Sequence, residues 1–335
     1  MRKQNKGRAF AGGDVSSKDV VVALQRSDGG RERAEFPNNA PGHKLLISWL
    51  ARHGSEVQIV IEATGIYSLD LAFALQRAKG VEVMVANPRA IADFARALMQ
   101  RSKTDKLDAE AILEFSCRMP FVPWIPPSQA RLDLRSIMRR VCSLKLQMQQ
   151  ESNRLHAAEH AEQITSFIRR DIEMHLRQME RHVEKLDAQA FAVVGADAEL
   201  KRCYERLISV RGIARTSALH ILGELVILAA DMTARQWVAH AGLDPRAFDS
   251  GTSIHKPARI SRRGNHYLRA ALYMPALVAA RRDPNVKAFY DKLVAKGKTK
   301  MQALVAVMRK LLHAIHGMLR SDTNFAGEKF FAMKA

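Results

Sequence analysis

Cysteine is scarce in this chain: Cys117, Cys142 and Cys203 are few, odd in number and far apart. They offer neither a disulfide framework nor a thiolate metal site, and they fit a reducing compartment. No apolar run reaches the ~18 residues that a bilayer span needs. The basic start, Met1 to Arg8, is followed by no apolar signal-peptide core, and reads as a short tail able to touch nucleic acid. Acidic residues are in deficit, 34 against 53 Lys and Arg, for a formal charge of +19. That points to a polyanionic partner, most simply nucleic acid. The deficit is steepest from Lys201 to Ala335, where 24 basic residues face 9 acidic ones. Two readings follow: a phosphate-facing C-terminal half, or a basic surface serving solubility. Between Arg131 and Ala192 there is no Pro or Gly at all. Such a stretch, rich in Leu, Met, Glu, Arg and Gln, suits long helices paired antiparallel or coiled, as a spacer or an oligomerisation arm.

What is present excludes general disorder: 47% of 335 residues are hydrophobic, enough for two or three domains. The chain opens as strand, turn, strand over residues 8–24, with Val20–Leu24 β-branched. Ser27-Asp-Gly-Gly30 is a hairpin turn into a third strand, Arg31–Phe36. Then come a helix at Leu45–Ala51, a buried strand at Val57–Ile61, a helix at Tyr67–Ala78 and a strand at Val81–Val85. Pro88 opens the next helix. Three strands followed by alternating helix and strand describe an α/β domain with a mixed sheet. Pro120–Pro127, with four prolines, forbids regular helix and closes this unit.

The hexapeptide Lys103-Thr-Asp-Lys-Leu-Asp108 sets two acids one helical turn apart. Alone they read as solvated surface. Asp14 and Glu62, however, close strand-like apolar runs upstream. The expectation is that Asp14 ends the first strand, Glu62 ends a central strand beside it, and the helix of Asp105 and Asp108 packs alongside. Four carboxylates so gathered suit a hard divalent cation.

Further on, Leu207–Ser217 resembles a helix-hairpin-helix, whose turn amides hold a phosphate, or is an ordinary helix–helix loop. Residues 246–264 read as one long polar, basic loop holding Ser250, Thr252, Ser253 and Ser261 among Arg246, His255, Lys256, Arg259, Arg262 and Arg263. A hydroxyl in that company either binds phosphate or attacks it; the chemistry leaves both open. Tyr267–Ala280 and Lys300–Leu319 read as buried helices joined by a basic connection, and Ser321–Ala335 as a frayed end.

A set of ordered motifs carries a family likeness. They are Gly13-Asp14, Ile61-Glu-Ala-Thr-Gly65, Asn87-Pro88, Lys103-Thr-Asp-x-x-Asp108, Gly242-Leu-x-Pro-Arg246, Ser250-Gly251, Ser261-Arg-x-Gly264 and Leu268-Arg-x-x-Leu-Tyr-Met-Pro275. Together they resemble the DEDD transposases, the bridge-RNA-guided recombinases of the insertion sequence 110 family with its 1111-type relatives. The resemblance implies a RuvC-like N-terminal domain of RNase H fold over 8–128 and a helical coiled-coil insertion over 129–200. It implies a mostly α C-terminal transposase domain over 201–322, with a tail at 323–335. It makes Asp14, Glu62, Asp105 and Asp108 ligands of Mg²⁺ or Mn²⁺, and Ser250 the nucleophile. Lys103, Arg211, Arg246, Lys256, Arg259, Arg262, Arg263 and Arg269 are the expected nucleic-acid contacts. The implied activity is RNA-guided DNA cleavage, exchange and religation through a covalent serine–DNA intermediate. The implied partners are donor DNA, target DNA, a guide RNA and further copies of the chain, as dimer or tetramer, in the bacterial cytoplasm at the nucleoid. The rival is a metal-dependent, junction-resolving nuclease using activated water. Two departures from the pattern matter. Gly12-Gly13 stand where a more apolar strand end is expected, which puts the length of that strand in question. Arg262 stands where lysine is common, keeping the charge but donating a proton poorly.

Overall fold

The structure is a computed structural model describing residues 7–63, 65–98, 105–161, 163–250 and 254–333; the side chains of 105–107 and 246–258 lie outside the description. Internal contacts divide the chain into two compact units, Met1–Pro126 and Pro127–Ala335.

The first unit is built on a mixed five-stranded sheet. β1 (Arg8–Val15), β2 (Asp19–Gln25) and β3 (Arg31–Pro37) form an antiparallel meander, and β4 (Glu56–Glu62) and β5 (Val81–Ala86) join parallel to β1, in the order β3-β2-β1-β4-β5. Alternation along the strands sorts residues between two faces. Ala9, Ala11, Val20, Val22, Val57, Ile59 and Ile61 pack with Leu46 and Leu50 of α1 (Ala40–His53) and Leu71 and Leu75 of α2 (Leu69–Gln76). The other face takes α4 (Asp105–Arg118), which lies across β1, β2 and β4 and follows α3 (Pro88–Ala97). Val60 packs there with Ile112 and Phe115, and Ala23 with Ala109 and Leu113.

Gly12 belongs to that second face. A Cβ on it would sit 2.1 Å from the backbone nitrogen of Leu113, so α4 rests on β1 backbone to backbone. The glycine is therefore a contact requirement, and β1 runs through it to Val15 without shortening.

The second unit is helical apart from one hairpin. α5 (Gln129–Glu159) and α6 (Ser166–Ala196), 31 residues each, pack against one another across a short connection and so run antiparallel. Leu134, Met138, Val141 and Leu144 of α5 and Met179, Val183, Ala190 and Val194 of α6 share one apolar core with the helices that follow. These are α7 (Ala198–Ile208), α8 (Arg215–Leu225), α9 (Ala234–His240), α10 (His266–Arg282), α11 (Pro284–Ala295), α12 (Lys300–Ser321) and the short α13 (Gly327–Phe330). Leu207–Ser217 makes the expected turn between α7 and α8.

Three expectations are corrected here. The basic connection after α10 contains α11, started by Pro284 and capped by Asp283, whose carboxylate accepts from the Asn285 and Val286 amides at 3.0 Å. The end of the chain is docked, with Phe330 only 3% exposed, Asn285 donating to the Phe331 carbonyl, and Lys310 set over the Phe289, Phe330 and Phe331 rings. In place of a single loop over 246–264, β6 (Pro245–Ser250) and β7 (Ile254–Ile260) pair antiparallel.

Candidate active site

The parallel register of β1 and β4 pairs Gly12 with Val60 and Gly13 with Ile61. One step further stand Asp14 and Glu62, half-buried neighbours at the carboxyl ends of adjacent strands. Alternation from Gly12 and Val60 puts both on the face that α4 covers. The direction of α4 follows from its ion pairs. Arg31 of β3 meets Glu114 at 2.5 Å and Arg33 meets Glu110 at 3.1 Å. Moving up β3, which runs parallel to β1, thus moves down α4. The first turn of α4, carrying Asp105 and Asp108, lies toward the strand ends where Asp14 and Glu62 stand. Leu113 abuts Gly12; Asp108 is five residues back, ~7.5 Å of helix, and Asp14 two residues on, ~6.7 Å of strand.

The donor set is carboxylate oxygen throughout, the type preferred by a hard divalent cation. Among the described residues no three His, Cys, Asp or Glu side chains are grouped to hold a metal. The side chain of Asp105 and all of Lys103 lie outside the described residues. What the backbone supplies is adjacency: two acids side by side on the sheet and two more on the helix turn above them.

Ser250 is the last residue of β6, its backbone paired with Ile254; residues 251–253, with Thr252 and Ser253, are outside the described residues. Along the ribbon Arg246 pairs with Arg259 and Phe248 with Lys256, with an irregularity between the two pairs. The root of the hairpin is tied repeatedly. The Ser261 amide donates to the Asp244 carbonyl at 2.9 Å and the Ser261 hydroxyl to the Asp244 carboxylate. The Arg262 amide donates to the Gly242 carbonyl at 3.1 Å. Arg262 itself adopts φ 52°, a left-handed conformation uncommon away from glycine. Arg259, Arg262 and Arg263 are exposed beside this root. Arg269 is half-buried, its Nη1 donating to the Ala241 carbonyl at 2.7 Å at the end of α9. Arg211 is exposed and donates to the Arg282 carbonyl at 3.4 Å.

Beneath the root lies a buried polar cluster that sequence reasoning missed. Glu224 of α8, 3% exposed, accepts two hydrogen bonds from Arg139 at 2.7 and 2.9 Å and one from Asn265 Nδ2 at 2.6 Å. Arg135 stands 3.7 Å away. Burial works against ionisation of Glu224, but these hydrogen bonds and guanidinium charges prevail and hold its pKa below the ordinary carboxylate value. Asn265 also caps α10, accepting from the Leu268 amide, and its own amide donates to the His240 carbonyl at 2.6 Å. The signal was available: a carboxylate inside the apolar run Ala218–Leu225 calls for a partner.

A DEDD IS110 family model described as "Transposase" matches residues 11–160, from β1 through α5. A second, described as "Transposase IS116/IS110/IS902 family", matches residues 204–291, which hold Glu224, the hairpin and α10. The chain belongs to the IS110 family of transposases. It is similar along most of its length to the "Pilin gene-inverting protein" of Moraxella bovis, 29% identical over 88% of this chain and 90% of the relative. It is also similar to the "Insertion element IS110 uncharacterized 43.6 kDa protein" of Streptomyces coelicolor, 35% identical over 35% of this chain and 29% of the relative. As a member of the IS110 family it is a transposase, a DNA recombinase, and its substrates are DNA. The first unit, with its mixed sheet, is the RNase H-like part that the DEDD match implies. No helix among the described residues is long and apolar enough to cross a membrane.

Proposed function

We propose that the chain cuts DNA with Ser250, exchanges strands and rejoins them, with Asp14, Glu62, Asp105 and Asp108 holding Mg²⁺ or Mn²⁺. The observation that carries the metal half of this reading is the β1–β4 register, which seats Asp14 and Glu62 together under the first turn of α4. A divalent cation there would polarise a DNA phosphate and ease ionisation of an attacking hydroxyl. The serine oxygen attacks phosphorus, an O–P bond forms, and the deoxyribose oxygen leaves with a proton; religation reverses each step. A phosphodiester is exchanged for a phosphoserine, so rejoining needs no external energy source. Arg259 and Arg262 at the hairpin root are placed to neutralise phosphate charge as it develops. Rejoining also suits the relatives named for gene inversion, since an inverted segment must be resealed and a nuclease does not reseal.

The carboxylates and the serine belong to different units of the chain. The reading therefore has the hydroxyl delivered to the metal site, with several copies of the chain in a working assembly. Sequence choice rests with base pairing to a guide RNA, and the basic surface holds nucleic-acid backbones. Proposed boundaries are 8–128 for the metal-binding domain, 129–200 for the helical insertion with coiled-coil packing, 201–322 for the serine domain and 323–335 for the tail.

The test is a Ser250→Ala protein on a denaturing gel with labelled DNA. Loss of both cleavage and the DNA-linked protein band supports serine recombination. Retained cleavage without a linked band makes the protein a metal-dependent nuclease and Ser250 a phosphate ligand. RNA copurifying with the protein and matching the DNA flanking its gene supports guidance; RNA of random sequence overturns it.

A further inference from the structure

The carboxyl ends of β1 and β4 are joined by a side chain that neither strand carries. Asn38 stands between β3 and α1. Its Nδ2 donates to the Ser16 carbonyl at 2.7 Å and to the Tyr67 carbonyl at 3.0 Å. Ser16 lies two residues beyond Asp14, and Tyr67 five residues beyond Glu62. One amide group thus spans the two turns that leave the acid-bearing strands.

The bridge is firmly mounted. The Asn38 amide donates to the Lys18 carbonyl at 2.6 Å. Its Oδ1 lies 2.8 Å from Nε2 of His43, a residue 5% exposed. Because Nδ2 faces two carbonyls, Oδ1 must be the acceptor, which assigns a proton to Nε2 of His43. His43 reaches Asn38 because α1 starts in close contact with the end of β3. Gly42 sits where a Cβ would lie 1.9 Å from the Pro37 carbonyl oxygen, and Asn39 caps the helix by accepting from the Gly42 amide at 2.9 Å. The turn after Asp14 has its own brace, since the Ser16 hydroxyl accepts from the Lys18 and Asp19 amides at 3.2 and 2.9 Å.

We propose that Asn38 is a positioning residue that fixes the separation of Asp14 and Glu62 for a shared divalent cation, with His43 locking its amide. The proposal rests on the carboxylate reading above. Groups hydrogen-bonded directly to metal ligands contribute about 10- to 100-fold in metal affinity; Asn38 acts one step further out, through the turns that follow the acids, so the lower end, about 10-fold, is expected. Asn38→Ala removes both donors of the bridge and leaves every carboxylate in place.

The experiment is calorimetric titration of the full chain with Mn²⁺, with thermal melting in EDTA as the control for folding. Expected are no measurable binding by Asp14→Asn, and affinity weakened about 10-fold in Asn38→Ala, whose EDTA melting temperature falls by several degrees, since buried His43 loses its acceptor, while its unfolding stays cooperative. His43→Gln, which keeps a donor for Oδ1, should bind as the unsubstituted chain does, whereas His43→Leu should weaken binding. The histidine pair also decides the matter if Asn38→Ala does not fold. Unchanged affinity in Asn38→Ala, or equal affinities for the two His43 variants, alongside a dead Asp14→Asn overturns the clamp and leaves the carboxylate reading standing. Undiminished binding by Asp14→Asn overturns the carboxylate reading and the clamp with it.

Discussion

Asp14 and Glu62 end strands in the middle of a five-stranded sheet, with partners on both sides and a helix laid over them. Ser250 ends a strand in a sheet of two, and the ties that hold its hairpin gather at the far end. The difference matches what each proposed chemistry asks. A cation site works only if its ligands are preset to within a few tenths of an ångström. A nucleophile that must meet a phosphate, and afterwards carry it to another strand, needs a firm base and a free reach. The acids are placed by backbone register; the serine is placed by an anchored root.

The comparison breaks most visibly at the serine. Ser250→Ala should abolish the covalent protein–DNA band while leaving the melting temperature and Mn²⁺ binding unchanged, read by gel, calorimetry and titration. Next comes the anchor. Glu224→Ala takes the shared carboxylate from half-buried Arg139 and Arg135 and from the Asn265 amide and should cost up to about 3 kcal/mol, with increased hydrogen exchange confined to peptides from the second unit. On the other side of the comparison, Gly12→Ala forces a Cβ into the Leu113 backbone and should destabilise by about 3 kcal/mol, seen in urea unfolding and in peptides of the first unit.

Acid should act on the second unit too. Burial lowers the pKa of His220 from 6.5 to about 4, and that of His240 in the same direction. With folded values below unfolded ones, the unfolded chain takes up protons first as pH falls. Stability should therefore decline from about pH 6.5 and flatten, for His220, below about 4. Glu224 adds to the loss at the acid end, its lowered pKa making its contribution present above 4.5 and lost as pH falls through the folded value. Urea midpoints across that range check this, and His220→Gln should flatten the slope. The smallest effect belongs to the exposed arginines: Arg259→Ala should lower the salt dependence of DNA binding by about one counterion, with little change in sequence preference.

Much of the first unit is legible in the sequence because its strands alternate or run β-branched between clear turns, which by itself puts Asp14 and Glu62 at strand ends. The hairpin is not. Its second strand contains Pro257, which cannot donate to a ladder and sits where the pairing skips, between the Phe248–Lys256 and Arg246–Arg259 pairs. A proline within a short polar run argues against strand, and here the irregularity accommodates it. α11 was hidden by its charge, although Asp283-Pro284 is a sound helix start. Asn38 left no mark beyond its residue type, because its role depends on which turns the sheet order brings within reach. Glu224 could have been found, since a lone acid in an apolar helix demands company.

At Gly12, α4 lies directly on the backbone of β1. No side chain intervenes there, so the gap between helix and strand is a fixed dimension, set by peptide groups in van der Waals contact. Repacking the hydrophobic interior, by drift or by design, cannot widen or narrow it. On the proposed carboxylate reading, a relative tuned to a larger or smaller ion would have to change the reach of the acids themselves, aspartate to glutamate or the reverse.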